Sequence, residues 1–126
     1  MMLAEIKEKY KGFHDAIINE VSYLPFSTAL RKSLKELRVS ITCFNWQKEQ
    51  WEDVIIVFKE VAKFKYIDTL KLQSVVVFEA MLKENEDGII VDFYPIQVDG
   101  REVLEEYPDS TFLVHCKSVV LSHTTN

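Results

Sequence analysis

Residues 37–44 read Leu37-Arg38-Val39-Ser40-Ile41-Thr42-Cys43-Phe44. Leu37, Val39, Ile41 and Cys43 fall on one side of a period of two. Arg38, Ser40 and Thr42 fall on the other, with Phe44 continuing that row. Successive side chains of an extended chain point to opposite faces, so the alternation predicts a half-buried strand. Strands of that kind belong to antiparallel sheets with one solvated face.

Downstream, Trp51, Val54, Ile55, Phe58, Val61 and Ala62 could form a helical stripe. Yet Val54-Ile55-Ile56-Val57-Phe58 is an unbroken run of β-branched and aromatic residues. Such side chains lose freedom in a helix and pack well on a pleated surface, which predicts a buried central strand. Apolar runs at Val75–Leu82 and Ile89–Tyr94 enclose Lys83-Glu84-Asn85-Glu86-Asp87-Gly88, and Asp87-Gly88 signals a hairpin. Between Thr111 and His123, Phe112, Val114, Cys116 and Val120 share one face, with Leu113, Val119 and Leu121 on the other. That pattern predicts one strand covered on both sides. Arg101–Tyr107, stopped before Pro108, is expected to form one or two helical turns, and 62–74 carries no clear pattern.

Upstream, Ile17, Ile18, Val21 and Tyr23 suit a strand that Pro25 should end except at a sheet edge. Ser27–Leu34 reads as a loop or helical turn. Leu3, Ile6, Tyr10 and Phe13 recur at three- and four-residue steps, the stripe of a short helix with Gly12 placed as its stop. The expected fold is α+β: a curved, mostly antiparallel sheet of about six strands with the N-terminal helix packed on it. No repeat or linker divides the 126 residues, so positions 1–126 read as a single domain.

Composition narrows the function classes. With 48 % hydrophobic residues the chain can build a core without metal or disulfide, and two cysteines, Cys43 and Cys116, make neither framework. A net charge of −5 argues against nucleic acid, whose phosphates demand a basic face, and suits a basic protein partner. The first residues turn charged before an apolar run could form a signal peptide, and no stretch reaches the roughly 18 uncharged residues of a membrane span. A cytoplasmic protein with no membrane and no nucleic acid among its partners is the expectation.

Candidate chemistry is sparse. His14-Asp15 could bind a metal or shuttle a proton, but placed at the head of a strand the two would diverge. The structural reading has Asp15 tying down a turn and His14 packed beneath it. His115-Cys116 meets the same objection as a nucleophile dyad. Gly12, Gly88 and Gly100 are too scattered for a phosphate loop, so no cofactor is expected. Glu84, Glu86 and Asp87 crowd one turn, and Glu102, Glu105 and Glu106 another segment; these six are the candidate contacts to a basic partner. Trp46 and Trp51 flank a polar loop and could anchor an interface if exposed.

Three segments carry a resemblance: Phe13-His14-Asp15-Ala16 with Ile18; Trp51 with Asp53-Val54, Ile56, Phe58 and Val61; and Phe112-Leu113-Val114-His115-Cys116 through Leu121. Their order resembles small bacterial proteins that open on a phenylalanine-His-Asp strand and close on a strand with a cysteine. Some of these are immunity proteins of polymorphic toxin systems. The resemblance marks Phe13, His14, Asp15 and Cys116 as motif positions and implies a non-enzymatic protein that binds a toxin. The rival readings are a metal-dependent or Cys/His hydrolase centred on His14 and Asp15, and a homodimer that pairs edge strands.

Overall fold

The alternation at 37–44 is the centre of a fourteen-residue strand whose four inward side chains are fully buried. The computed structural model describes residues 2–67, 76–77, 79–97, 104–107 and 109–123. In chain order they form α1 (Met2–Tyr10), β1 (Ala16–Ser27), β2 (Lys32–Asn45), β3 (Gln50–Lys59), β4 (Lys63–Tyr66) and β5 (Val76–Val77). There follow β6 (Met81–Asn85), β7 (Gly88–Asp92), β8 (Ile96–Gln97), β9 (Leu104–Glu105), β10 (Phe112–Cys116) and β11 (Ser118–His123).

The fold is mostly antiparallel sheet with one short helix, but it is not one sheet of about six strands. A five-stranded sheet, β11-β3-β2-β1-β5, and a four-stranded sheet, β4-β10-β7-β6, share one core, and β8 and β9 pair as a separate ribbon. The physical reason lies at two crossings. After β3 the chain moves to the second sheet, with the Val61 N–H donating to the Lys35 carbonyl and that of Ala62 to His115. It returns at Lys117, whose N–H donates to the Lys59 carbonyl.

Lys117 therefore splits the single strand expected over 111–123. Phe112, Val114 and Cys116 are buried before it, and the inward phase then moves to Val119 while Val120 is 37 % exposed. The apolar run at 75–82 is likewise divided: Val76–Val77 pairs with Ala16 and Ile17, whereas Met81 and Leu82 belong to β6. The helical turn expected in 101–107 is not seen among its described residues: Leu104–Glu105 pairs with Ile96–Gln97 as strand, and Glu106 and Tyr107 are irregular.

Leu3, Ile6, Tyr10 and Phe13 are buried, and the end of α1 is clamped where the Trp46 N–H meets the Lys9 carbonyl. The helix stops one residue earlier than expected. Lys11, not Gly12, takes the left-handed conformation (φ 54°) and donates its N–H to Lys7. Gly12 answers a demand for space: a Cβ there would lie 2.9 Å from the Ala80 carbonyl oxygen.

β1 runs through Pro25 rather than ending before it. The β1–β2 register shifts between Leu24 and Phe26, so Pro25, which has no N–H to give, falls at an irregularity of the ladder. Ser27–Leu34 is no independent element. It holds the end of β1, a tight turn and the start of β2, with Ser27 opposite Lys32.

Candidate functional site

The β6–β7 turn follows from local chemistry. Asn85 Oδ1 accepts the N–H groups of Asp87 (2.9 Å) and Gly88 (3.1 Å), leaving Glu86 and Asp87 as the two turn residues. Gly88 has φ 140°, and a Cβ would fall 2.4 Å from the Cys116 carbonyl oxygen, so only glycine fits there. Glu84, Glu86 and Asp87 are all exposed.

Cross-strand pairing places Lys83, Ile90, His115 and Lys63 in one row across the second sheet. Two shallow clefts share Ile90. One is lined by Lys83, Leu104, Glu105 and Glu106; the other by Asp87, His115, Cys116 and Lys117. Acidic candidates from two distant stretches thus meet on one face. The face is not uniformly acidic, because Lys83 and Lys117 stand among the carboxylates, and Glu106 is bound to His115 Nε2 at 2.5 Å. Glu102 lies outside the described residues.

The motif residues separate. Phe13 is core, 1 % exposed, its ring stacked on Tyr10 at 5.7 Å. His14 is not packed beneath the turn: its side chain is 49 % exposed, and Nδ1 meets Asp15 Oδ2 at 3.0 Å. The two precede the strand rather than opening it. The left-handed backbone at Asp15 (φ 62°) accompanies a geometry in which adjacent side chains meet. Asp15 ties the turn through its backbone, its N–H donating to the Val77 carbonyl at 2.8 Å. The cleft at His115 and Cys116 is not lined by His14 or Asp15. Among the described residues no three His, Cys, Asp or Glu side chains are grouped to hold a metal ion.

Both cysteines are buried and free. Burial, helped by Glu52 and Asp53, pushes the Cys43 thiol up to about 12. Burial also raises that of Cys116 to about 11, against a backbone hydrogen bond from Ser118 that lowers it. Thiols so placed stay protonated at neutral pH, the reverse of what a nucleophile needs.

The β2–β3 turn is the more distinctive surface. Trp46 is 46 % exposed and Trp51 54 %. Their rings meet Phe44 edge-on at 4.9 and 5.6 Å, and Lys11 Nζ stands 5.9 Å from the Trp46 ring. The segment 49–53 adds Glu49, Glu52 and Asp53 with no cation. Asp53 is exposed and accepts the Thr42 hydroxyl.

Glu52 is anchored beneath this surface, its side chain 10 % exposed. It accepts Tyr10 Oη–H at 2.7 Å, Asn45 Nδ2 at 3.0 Å and Gln50 Nε2 at 3.4 Å. Burial alone would raise its pKa, but these hydrogen bonds and the charge of His123 hold it below the usual glutamate value. Burial and the Glu52 carboxylate push the Tyr10 phenol upward. A carboxyl depressed on folding stabilises the fold above its unfolded pKa and loses that contribution as pH falls through the folded value. Urea midpoints measured across acid pH should therefore fall more steeply for the native chain than for Glu52→Gln. The variant should be weaker by about 1 kcal/mol at neutral pH.

Sequence reasoning missed two features of this molecule. The Tyr10–Glu52–Asn45 cluster joins residues 42 apart in the chain, and only the polar loop beside Trp51 hinted at it. The buried Asp92 left no signal beyond an acid at the end of an apolar run. No family model, no curated protein and no solved structure matches this chain.

Proposed function

We propose that this chain is a non-enzymatic binding protein of the bacterial cytoplasm, with an immunity-like role in which it occludes a basic protein partner. The observation that supports this reading is the pair of half-exposed tryptophans at the β2–β3 turn, braced by Phe44 and flanked by Glu49 and Asp53. A large aromatic face held rigid by its neighbours supplies contact area at little entropic cost, and such residues dominate interface energies. A guanidinium or ammonium group of the partner would stack on the indole and meet the adjacent carboxylates. Glu84, Glu86, Asp87, Glu105 and Glu106 supply a second set of contacts, selective for a partner that carries positive charge and also meets Lys83 and Lys117.

Affinity capture with the tagged chain, followed by titration of the captured partner, tests the reading. Trp51→Ala should weaken a stoichiometric basic partner by about thirtyfold, the scale of an interface hot spot. The triple change Glu84→Lys, Glu86→Lys and Asp87→Lys should mainly slow association. A partner that binds all these variants like the native chain, or no partner even with toxin genes expressed, would sink the proposal.

A further inference from the structure

The two ends of β2 differ in charge: one mixes a lysine with carboxylates, the other carries cations alone. One end holds the tryptophan turn, where Lys48 stands among Glu49, Glu52 and Asp53; the other is the β1–β2 hairpin, where residues 24–35 read Leu-Pro-Phe-Ser-Thr-Ala-Leu-Arg-Lys-Ser-Leu-Lys. That stretch holds three cations, Arg31, Lys32 and Lys35, and no acid, in a chain whose net charge is −5.

The hairpin also outruns its sheet. Among the described residues β3 pairs with β2 from Leu37 onward, and β5 pairs with β1 at Ala16 and Ile17. Among the described residues the strands from Leu24 to Glu36 are bonded to each other, with one further anchor where Val61 N–H meets the Lys35 carbonyl. The turn is closed by the Leu30 N–H on Ser27 Oγ at 3.1 Å. The apolar side chains of this ribbon face water: Leu24 is 46 % exposed, Phe26 50 % and Leu30 63 %. The acids nearest in the chain are Glu20, which pairs with Ser40 further down the ladder, and Glu36 at the base. Glu36 is engaged by Arg38 at 3.1 Å, and Glu60 precedes the anchor at Val61.

We infer that this projecting hairpin docks on an anionic phospholipid surface, with Phe26 and Leu30 entering the headgroup–acyl boundary and Arg31, Lys32 and Lys35 meeting lipid phosphates and carboxylates. Charge complementarity selects this occupant. The tip reverses the sign of the whole chain, so it is attracted where the remainder is repelled, which orients the protein tip-first. A narrow convex tip with apolar side chains fits an interface that yields around it, and a protein partner would have to supply a matching groove. No helix among the described residues is long and apolar enough to cross a membrane; surface docking asks for none.

The test is co-flotation of the full chain with phosphatidylcholine vesicles and with vesicles that also contain phosphatidylserine. Binding should require phosphatidylserine, weaken with added salt, and fall about fivefold for each cation removed among Arg31→Gln, Lys32→Gln and Lys35→Gln. Phe26→Ser with Leu30→Ser should abolish it while thermal unfolding stays unchanged, because both side chains are already exposed. No binding to phosphatidylserine vesicles, or equal binding to both kinds, overturns the inference. So does a salt-sensitive rise in solution mass without lipid that Phe26→Ser and Leu30→Ser remove, since the tip would then belong to a second copy.

Discussion

Phe93→Ala should lower the free energy of unfolding by about 3–5 kcal/mol, the range for a fully buried phenylalanine. Phe93 is 0 % exposed and sits where three parts of the core meet. Its ring stacks on Phe112 at 4.5 Å, takes Phe58 edge-on at 6.4 Å and faces Phe13 at 6.4 Å. Those partners come from the second sheet, the first sheet and the turn after α1 respectively. Its backbone is held as well, the N–H donating to the Phe112 carbonyl at 3.0 Å. The surroundings therefore cannot collapse into the space left, and the cavity penalty adds to the lost burial. Phe93→Leu should cost less, about 1–1.5 kcal/mol, since it keeps more of the volume. Urea unfolding followed by tryptophan fluorescence gives both numbers. A loss below about 1 kcal/mol for alanine would mean that the two sheets do not share this aromatic centre.

Asp92→Ala is expected to be nearly as severe, about 3 kcal/mol or more, through a different mechanism. The side chain is fully buried. Oδ1 accepts the Tyr94 N–H at 3.0 Å and the Ser110 hydroxyl at 2.6 Å; Oδ2 accepts the Tyr107 N–H at 2.8 Å. One carboxylate thus gathers both ends of the excursion that leaves β7 and returns to β10, and it supports the segment presenting Glu105 and Glu106. Alanine would take this acceptor from the part-buried Tyr94 and Tyr107 N–H groups, while the Ser110 hydroxyl keeps the Phe112 carbonyl at 3.2 Å. Asp92→Asn should fall between, because its amide oxygen can still serve two donors while its NH2 faces a third. Hydrogen exchange gives the local readout. The Tyr94 and Tyr107 amides should lose protection at denaturant concentrations where the β2–β3 pair is still protected. Equal protection in Asp92→Ala and the native chain would show that the segment is held by other contacts.

Several elements were legible because the cause was local. The alternation at 37–44 needs only the pleat of an extended chain, and Leu37, Val39, Ile41 and Cys43 are all 0 % exposed. The β-branched run at 54–58 resolved the choice between helix and strand correctly. The hairpin at 83–88 was legible, although its turn residues are Glu86 and Asp87 with Gly88 already opposite Asn85, and α1 was legible in its three- and four-residue steps. The exposed carboxylates at 84, 86 and 87 follow from the same turn.

What stayed hidden depended on partners far along the chain. A strand that changes sheets at Lys117 keeps its apolar composition and alters only which phase faces inward, so 112–121 reads as one continuous strand. The stretch 101–107 reads as helical turns, yet Leu104–Glu105 pairs with Ile96–Gln97 as strand and Glu106 and Tyr107 are irregular. His14 and Asp15 were expected to diverge because strand geometry was assumed, and the left-handed backbone at Asp15 undid that premise. The sequence by itself determined α1 and the strands at 37–44, 54–58 and 89–92, since periodicity and β-branching act within a few residues. Only the tertiary structure decided that there are two sheets, that Trp46 and Trp51 stay in water, and that Asp87 and Glu106 share a face. Each of those is set by which distant strand happens to lie alongside, and hydrogen bonding between backbones is blind to the side chains that carry the pattern.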